Sequence, residues 1–257
     1  MKFTFGKNWV SFSENALNSE KIEIARSAFS ELTKGIELKD KNFIDIGFGQ
    51  GLGLYNAQAL GAKVLGIDLD PDCANAVAAT KKHFPDATIP KVEIASILNE
   101  NIQDDLSIKK FDVVHSWGVL HHTGNMDLAI KNAISLVDSK GHFIIAIYNR
   151  HWTSPIWKVI KILYRILPGF MQEFALLVFQ VLLKFRTDAT RDKNDHSTDR
   201  GMDLIHDIRD WLGGYPYEYA SIEEMESLMK DYGFSIQKVI KTPGWTGCNQ
   251  FVFQKDS

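Results

Sequence analysis

Along the first 150 residues, short runs rich in β-branched and aromatic side chains alternate with stretches whose apolar residues recur every three or four positions. The β-rich runs fall at 42–46, 63–68, 91–95, 111–116 and 142–148. Between them, 54–60 reads as a helix closed by Gly61, and 127–137 as a helix following a Gly-Asn turn. Upstream, Ile22, Ala25, Phe29 and Leu32 keep helical spacing and predict an amphipathic helix before the first strand. Such alternation predicts a parallel sheet with crossover helices on its faces.

After Tyr148 the rhythm changes. Residues 151–186 are apolar with scattered bases and a Pro168-Gly169 break, and 187–200 are almost wholly polar, which predicts an insertion of two helices and a loop. Regular character resumes at Ser221, where Ser-Ile-Glu-Glu is a capping box with Glu224 at the third helical position, and Gly233 ends that helix. Two last strands, 234–241 and 246–254, are joined by a Pro-Gly turn and predict an antiparallel hairpin at the edge of the sheet. The expected organisation is a ligand-binding core with an N-terminal helix at 1–149, a helical cap at 150–219, and a closing helix and hairpin at 220–257.

The chain is 257 residues long, 45% hydrophobic and 24% charged, enough to bury a substantial core. A net charge of −3 argues against a nucleic-acid binder, which needs a surplus of Lys and Arg. That charge is unevenly spread: residues 150–200 hold nine bases against five acids, a surplus of +4, and the remainder carries −7. Cys73 and Cys248 show no paired spacing, so neither a disulfide framework nor a zinc site is expected. The N-terminus lacks a basic start followed by an apolar run, which makes the cytoplasm the default location. The longest uncharged stretch of the apolar region, 174–183, is ten residues, and a spanning helix needs about 20.

The sharpest chemical signal is Phe43-Ile44-Asp45-Ile46-Gly47-Phe48-Gly49-Gln50-Gly51-Leu52-Gly53, an apolar strand that runs into a glycine-rich turn. Glycines there allow a tight turn and close approach of a ligand to the backbone. The dinucleotide pattern GxGxxG fails in both registers, because Leu52 or Leu54 stands at the sixth position, and no Gly-Lys-Ser/Thr follows for a P-loop. Asp45 disfavours a pyrophosphate and suits a ligand bearing an ammonium or sulfonium. Asp68 ends the second strand, where a carboxylate can accept both hydroxyls of a ribose. The three features describe a pocket for an adenosine linked to an amino acid.

Through FIDIGFGQG, VLGIDLDP and FDVVHSWGVLHHTG, residues 41–149 resemble the class I S-adenosylmethionine-dependent methyltransferases. The resemblance implies an α/β fold: a Rossmann-like, doubly wound, seven-stranded sheet with an antiparallel last strand, here with a helical cap between strand five and the final helix. It also implies S-adenosylmethionine as cofactor, its methionine part over Asp45, Gly47, Gly49, Gln50 and Gly51, its ribose on Asp68 and its adenine beside Leu69. Many members carry an Asp after the third strand for the adenine amino group; this chain has Ala95-Ser96-Ile97, which leaves Ser96 or backbone groups. Ser116 and Trp117 complete the expected cofactor wall.

Methyl transfer needs a positioned nucleophile and, for a hydroxyl or ammonium, a base for its proton. His121 and His122, just after the fourth strand, are the first candidates, since an imidazole titrates near neutrality. His206 or Asp207, in the dense polar and aromatic run 201–218, is the second. Ser116-Trp117-Gly118 is not the Asn/Asp-Pro-Pro-Tyr pattern of enzymes that methylate amino groups of DNA bases, and no Pro-Cys nucleophile exists, so a small-molecule acceptor is expected, without metal. The run HDIRDWLGGYP and the ending GCNQFVF resemble a bacterial methyltransferase subgroup of surface-polysaccharide or secondary-metabolite pathways, implying a sugar-containing or other small hydroxylated or amino acceptor.

In the cap, Lys158, Lys161 and Arg165 recur at helical spacing among Ile156, Trp157, Ile160, Leu163, Tyr164 and Leu167. Such a helix can lie on an anionic membrane surface through 156–186, cover an acidic or lipid-linked substrate, or pack its apolar face on the core. Two rivals to an enzyme of this kind stand: a non-catalytic S-adenosylmethionine-binding module docking on a membrane or partner through the cap, and a nicotinamide oxidoreductase, which the failed GxGxxG disfavours. Oligomeric state has no signature in the sequence.

Overall fold

The computed structural model describes residues 5–190, 204–242 and 247–256, and the side chains of 180–190, 204–207 and 210 lie outside that description. Seven strands are joined in one sheet: β1 (Asn42–Ile46), β2 (Lys63–Asp68), β3 (Lys91–Ile94), β4 (Phe111–Trp117), β5 (Val137–Tyr148), β6 (Phe234–Ile240) and β7 (Cys248–Lys255). Ten α-helices accompany them: α1 (Phe5–Ser11), α2 (Ser19–Leu32), α3 (Leu52–Ala59), α4 (Asp72–Thr80), α5 (Ile102–Asp105), α6 (Met126–Ser135), α7 (Ser154–Ile166), α8 (Gly169–Thr190), α9 (Leu204–Gly213) and α10 (Ile222–Asp231).

The spatial order is β3-β2-β1-β4-β5-β7-β6, with β7 antiparallel to both its neighbours and the other pairs parallel. Successive residues of the central strands point to opposite faces, so Phe43, Val113, Ile144 and Val252 enter the core beneath α2 and α3, while Ile44, Val114, Ile145 and Phe253 enter the other. Both faces are covered, which is why these strands read as unbroken apolar runs. Chain order reverses between β1 and β4, and the crevice beyond their C-terminal ends is where an open α/β sheet takes its ligand.

The first two strands have the predicted limits. Strand β5 starts five residues early, because Val137 pairs with Phe111 before the register shifts to Val113 and His142. That pairing also ends α6 at Ser135 rather than at 137. The terminal hairpin does lie at the sheet edge, but the last strand is the inner one: Phe251, Val252 and Phe253 are all buried, so both faces and both edges of β7 need cover, and the more polar β6 takes the outside. The capping box forms as read, with Ser221 Oγ accepting from the Glu224 N–H and the Glu224 carboxylate from the Ser221 N–H. The Pro-Gly turn at 243–244 lies outside the described residues.

The chain leaves the sheet after Tyr148 and returns at Ala220. There the Ala220 N–H bonds the Tyr148 carbonyl at 3.0 Å, the Arg150 N–H bonds the Ala220 carbonyl at 3.1 Å, and Asn149 bridges Ala220. Within 151–200 the described residues hold the expected pair of helices, α7 and α8, with α8 continuing through 187–190; α9 follows at Leu204–Gly213. Tyr164, Leu176, Ile208 and Leu212 form the excursion's own small core, with Ile160, Phe179 and Trp211 packed against it and Trp157 edge-on to Trp211. The apolar residues of α7 divide between two faces: Trp157, Ile160 and Tyr164 pack inward on the small core of the excursion. The inward face of α7 carries Lys161 and Tyr164, both buried, while Ile156, Val159, Leu163 and Ile166 point to solvent.

Gly66 shows how tightly the glycine loop is seated on the sheet, since a Cβ there would lie 2.6 Å from the Phe48 ring and 2.8 Å from Leu54. Gly66→Ala is therefore expected to lower the unfolding free energy by about 1–3 kcal/mol through overpacking, read as a lower midpoint in thermal or urea unfolding. An unchanged midpoint would show that Phe48 can move aside at no cost.

Candidate active site

The loop after β1 turns through three left-handed glycines: Gly47 (φ 73°), Gly49 (φ 52°) and Gly51 (φ 79°). Side chains are strained at such angles, and space excludes them as well. A Cβ on Gly47 would collide with the Val119 methyls, and one on Gly51 would lie 2.7 Å from Val77. The loop is fixed by the Gly47 N–H to the Ile67 carbonyl (2.7 Å) and the Gly51 N–H to the Phe48 carbonyl (2.8 Å).

Asp68 stands across from it at the end of β2. Its carboxylate accepts from the Gly49 N–H at 3.2 Å and the Asp70 N–H at 2.9 Å. Burial raises its pKa above the usual carboxylate value, and those two N–H groups oppose the shift. The Cys73 side chain is a third donor to this carboxylate, which keeps acceptor capacity for a ligand hydroxyl. Leu69, exposed beside it, offers an apolar surface at the rim of the crevice. Ser96 follows β3, where its hydroxyl accepts from the Leu98 N–H at 3.2 Å.

Asp45 is held differently from its neighbours in the motif. It is 4% exposed and its Oδ1 lies 2.7 Å from His115 Nδ1, its register partner on β4. Gly53 makes room for it, since a Cβ at 53 would lie 2.5 Å from Asp45 Oδ2. The His115 ring in turn stacks on Phe43 and meets the edge of Phe29. Asp45 thus acts from inside the β1–β4 seam. Ser116 is also turned inward, its buried hydroxyl donating to the Ile46 carbonyl at 3.0 Å, and Trp117 Nε1 donates to Gln250 Oε1 at 3.0 Å. Gln50 is half-buried in the loop.

Helix α1 crosses this crevice, and the sequence reading assigned it no element. The Gly6 N–H donates to Asp70 Oδ2 at 2.9 Å, the Trp9 indole is 3.1 Å from where a Gly49 Cβ would stand, and the Phe5 ring lies 5.8 Å from His122. The helical spacing of Phe5, Trp9 and Phe12 carries the signal that marks this segment.

The two histidines lie at the neighbouring end of β4 and have separate roles. His121 is fully buried; its Nδ1 lies 3.3 Å from the Tyr148 N–H, its ring also meets the Ala146 carbonyl, and its Nε2 is a buried atom without a hydrogen-bond partner among the described residues. His122 has a defined tautomer. Its Nδ1 is 2.7 Å from the Pro216 carbonyl, an acceptor only, so Nδ1 carries the proton and Nε2 the lone pair. Burial pushes both imidazoles down, His121 well below the ordinary value and His122 to about 3, with the Lys161 ammonium adding to each effect and the Pro216 carbonyl opposing it at His122.

Lys161 is the feature of this end that sequence spacing concealed. Fully buried, its Nζ stands 4.6 Å from the Trp211 ring centre, 5.0 Å from Tyr217 and 5.4 Å from Tyr148, and donates to the Trp211 carbonyl. Cation–π contacts of this kind let an ammonium survive desolvation. Tyr217 is itself buried, which raises its phenol to about 12 and keeps it a donor. Beyond Pro216, a cavity of about 220 Å³ is lined by Gly124, Lys158, Tyr215, Pro216, Tyr217 and Glu218. Glu218 closes it by accepting from the Gly124 and Met126 N–H groups at 3.1 and 3.3 Å. The side chains of His206 and Asp207 lie outside the described residues; their backbone belongs to α9.

The structure therefore gathers two groups at one edge of the sheet: the glycine loop with Asp68, Leu69 and Ser96, and His122 with Tyr148 and the small cavity. Asp45, Ser116 and Trp117 support that edge from within the sheet. Among the described residues no three His, Cys, Asp or Glu side chains cluster to hold a metal ion, and no disulfide joins Cys73 to Cys248.

Comparison with known proteins agrees with this geometry. Ubiquinone biosynthesis O-methyltransferase of Pelagibacter ubique is 28% identical over 123 residues, 48% of this chain and 48% of the relative. The protein of the same name from Nitrosomonas europaea is 29% identical over 143 residues, covering 55% of this chain and 59% of the relative. The chain thus spans about half the length of these curated relatives. Among solved structures, magnesium protoporphyrin IX methyltransferase from Synechocystis PCC 6803 with bound S-adenosylhomocysteine superposes with a TM-score of 0.57 at 15% identity, over 91% of this chain and 82% of that one. An S-adenosylmethionine-dependent methyltransferase from Mesorhizobium loti gives 0.53 at 16% identity, over 89% and 96%. These two likenesses establish the fold. The profile of the methyltransferase-domain family matches residues 22–239, and the chain belongs to that family.

Proposed function

We propose that this protein is an S-adenosylmethionine-dependent O-methyltransferase acting on a small hydroxylated molecule, with residues 150–219 as the cap over its acceptor. The observation that carries the reading is the juxtaposition of Asp68, seated against the glycine loop, with the oriented imidazole of His122 at the same edge of the sheet. Family membership and the O-methyltransferase names of the relatives support it.

The residues present fit the cofactor. Asp68 has acceptor capacity for ribose hydroxyls, Leu69 and Ser96 flank the place for adenine, and Gly47, Gly49, Gln50 and Gly51 offer backbone without side-chain obstruction for the amino-acid part. When bound, S-adenosylmethionine supplies a methyl group activated by its sulfonium. Asp45 acts indirectly, fixing His115 and the seam from which the loop departs, and its negative charge near the loop favours a cationic ligand.

On the acceptor side, His122 is the base. Pro216 fixes its tautomer so that Nε2 carries the lone pair. The low pKa keeps the ring neutral but weakly basic, so Nε2 first orients the acceptor hydroxyl and takes its proton only as the new C–O bond forms and makes that oxygen acidic. His121 is a positioning residue that ties this turn to Tyr148. Lys161 and the Tyr148, Tyr217 and Trp211 rings exclude water around both imidazoles. The cavity beside Pro216 has room for a single small ring, and Tyr217, Lys158 and Glu218 give it polar contacts. His206 and Asp207 stay second candidates for the base, on the cap helix α9.

Three outcomes follow. Calorimetry with S-adenosylhomocysteine gives binding to the intact protein and a loss of at least about tenfold in Asp68→Ala, the scale of a removed charge-assisted hydrogen-bond pair; equal affinity would remove Asp68 from the site. His122→Gln lowers kcat by about 10²–10⁴ with cofactor affinity retained, and a variant as fast as the parent would transfer the role to another group. The third concerns stability. Below about pH 6.5 the unfolded chain protonates His122, whereas the folded chain refuses that proton until about 3. The unfolding free energy therefore falls as pH falls through that window, by at most about 1.4 kcal/mol per unit for one imidazole. Thermal midpoints between pH 4 and 7 should show this slope, flattened in His122→Gln; a slope of the same size in both proteins would place the linkage elsewhere.

A further inference from the structure

Helix α7 packs Trp157, Ile160 and Tyr164 inward yet leaves a second aliphatic stripe in solvent. A soluble cap helix buries its aliphatic stripe and exposes its lysines, whereas here Lys161 is fully buried under three aromatic rings and Ile166 is 73% exposed. The outward stripe continues past the Pro168-Gly169 turn into α8, where Phe170 and Phe174 are 76% and 67% exposed, and Trp152 before α7 is 74% exposed. Most of the large exposed hydrophobic side chains of the described protein belong to this one stretch, residues 152–178. A contiguous apolar patch on two adjacent helices marks a surface that meets something other than water.

The chemistry around the patch selects the partner. Helix α7 carries Lys158 and Arg165 and no acid, and residues 150–200 have a surplus of +4 against −7 for the rest of the chain. Exposed aromatic and aliphatic groups beside lysine and arginine are the composition of a helix lying in the headgroup region of an anionic bilayer. A second copy of the chain fits less well, because a two-fold contact sets the patch against itself and brings like-charged segments together. Among the described residues no helix is long and apolar enough to cross a membrane, so the helices lie on the surface rather than span it.

We infer that the outer face of α7 and α8 docks the protein on an anionic lipid surface. The cavity beside Pro216 then opens next to that surface, because Lys158 both lines the cavity and projects from α7. This inference goes beyond the methyl-transfer reading and does not depend on it.

The test is co-sedimentation of the full chain with vesicles of phosphatidylcholine alone and of phosphatidylcholine with phosphatidylglycerol. The expected result is sedimentation with the anionic vesicles at low salt, at least fivefold weaker with neutral vesicles or at 0.5 M salt, the range over which a Debye length shrinks to a few ångströms. The double variant Ile166→Glu, Phe170→Glu should lose at least tenfold in bound fraction. Calorimetry with S-adenosylhomocysteine, performed on both proteins, separates the two proposals: equal cofactor affinity shows the variant is folded, and vesicle binding without cofactor binding sinks methyl transfer alone. Absence of sedimentation, equal sedimentation of parent and variant, or a dimer in light scattering that the variant splits while vesicles bind neither protein would overturn the docking surface, the last assigning it to a second copy.

Discussion

The seam between β1 and β4 is the constraint on which the rest of the molecule depends. Chain order reverses there, so the C-terminal ends of both strands open onto one crevice, and whatever follows them faces it. The pair Asp45–His115 bridges the two strands at 2.7 Å inside an otherwise aromatic and aliphatic layer, with Gly53 leaving the space. A buried carboxylate needs such a partner, and once made the contact sets the level at which the glycine loop leaves β1 and the histidine turn leaves β4.

From that seam the two halves of the site acquire different physics. The glycine loop is a backbone device: left-handed angles and missing Cβ atoms put N–H groups and Asp68 within reach of one another, and little else is required of side chains. The histidine end is a desolvation device. Lys161, Tyr148, Tyr217 and Trp211 come from a strand, two cap helices and a connecting segment, and together they make a dry, positively biased environment that keeps both imidazoles neutral. Residues 150–219 therefore touch the histidine end through Lys161, Trp211 and Tyr217 while much of their outer face remains apolar.

Much of the core was legible because its rules are local. Alternation of strand and helix, the glycine run, Gly61 and the Ser221–Glu224 box each speak through neighbours in sequence, and their elements fall within a few residues of the predicted limits. Helix α1 was missed since its short aromatic pattern gains meaning only against α4 and the loop, where Gly6 meets Asp70 and Trp9 meets Gly49. The orientation of α7 was not legible either. Spacing shows that its lysines and isoleucines occupy different faces, but not which face turns inward, and burial of Lys161 depends on rings tens of residues away.

The sequence by itself determined the sheet, the glycine turn and the acids at the ends of the first two strands, because periodicity and backbone freedom are properties of adjacent residues. Only the folded chain sets Asp45 against His115 rather than the open crevice, His122 against the Pro216 carbonyl, the last strand inside the sheet, and a second aliphatic stripe of the cap in solvent. Each of these depends on which distant group fills the neighbouring space, and no spacing along the chain encodes that.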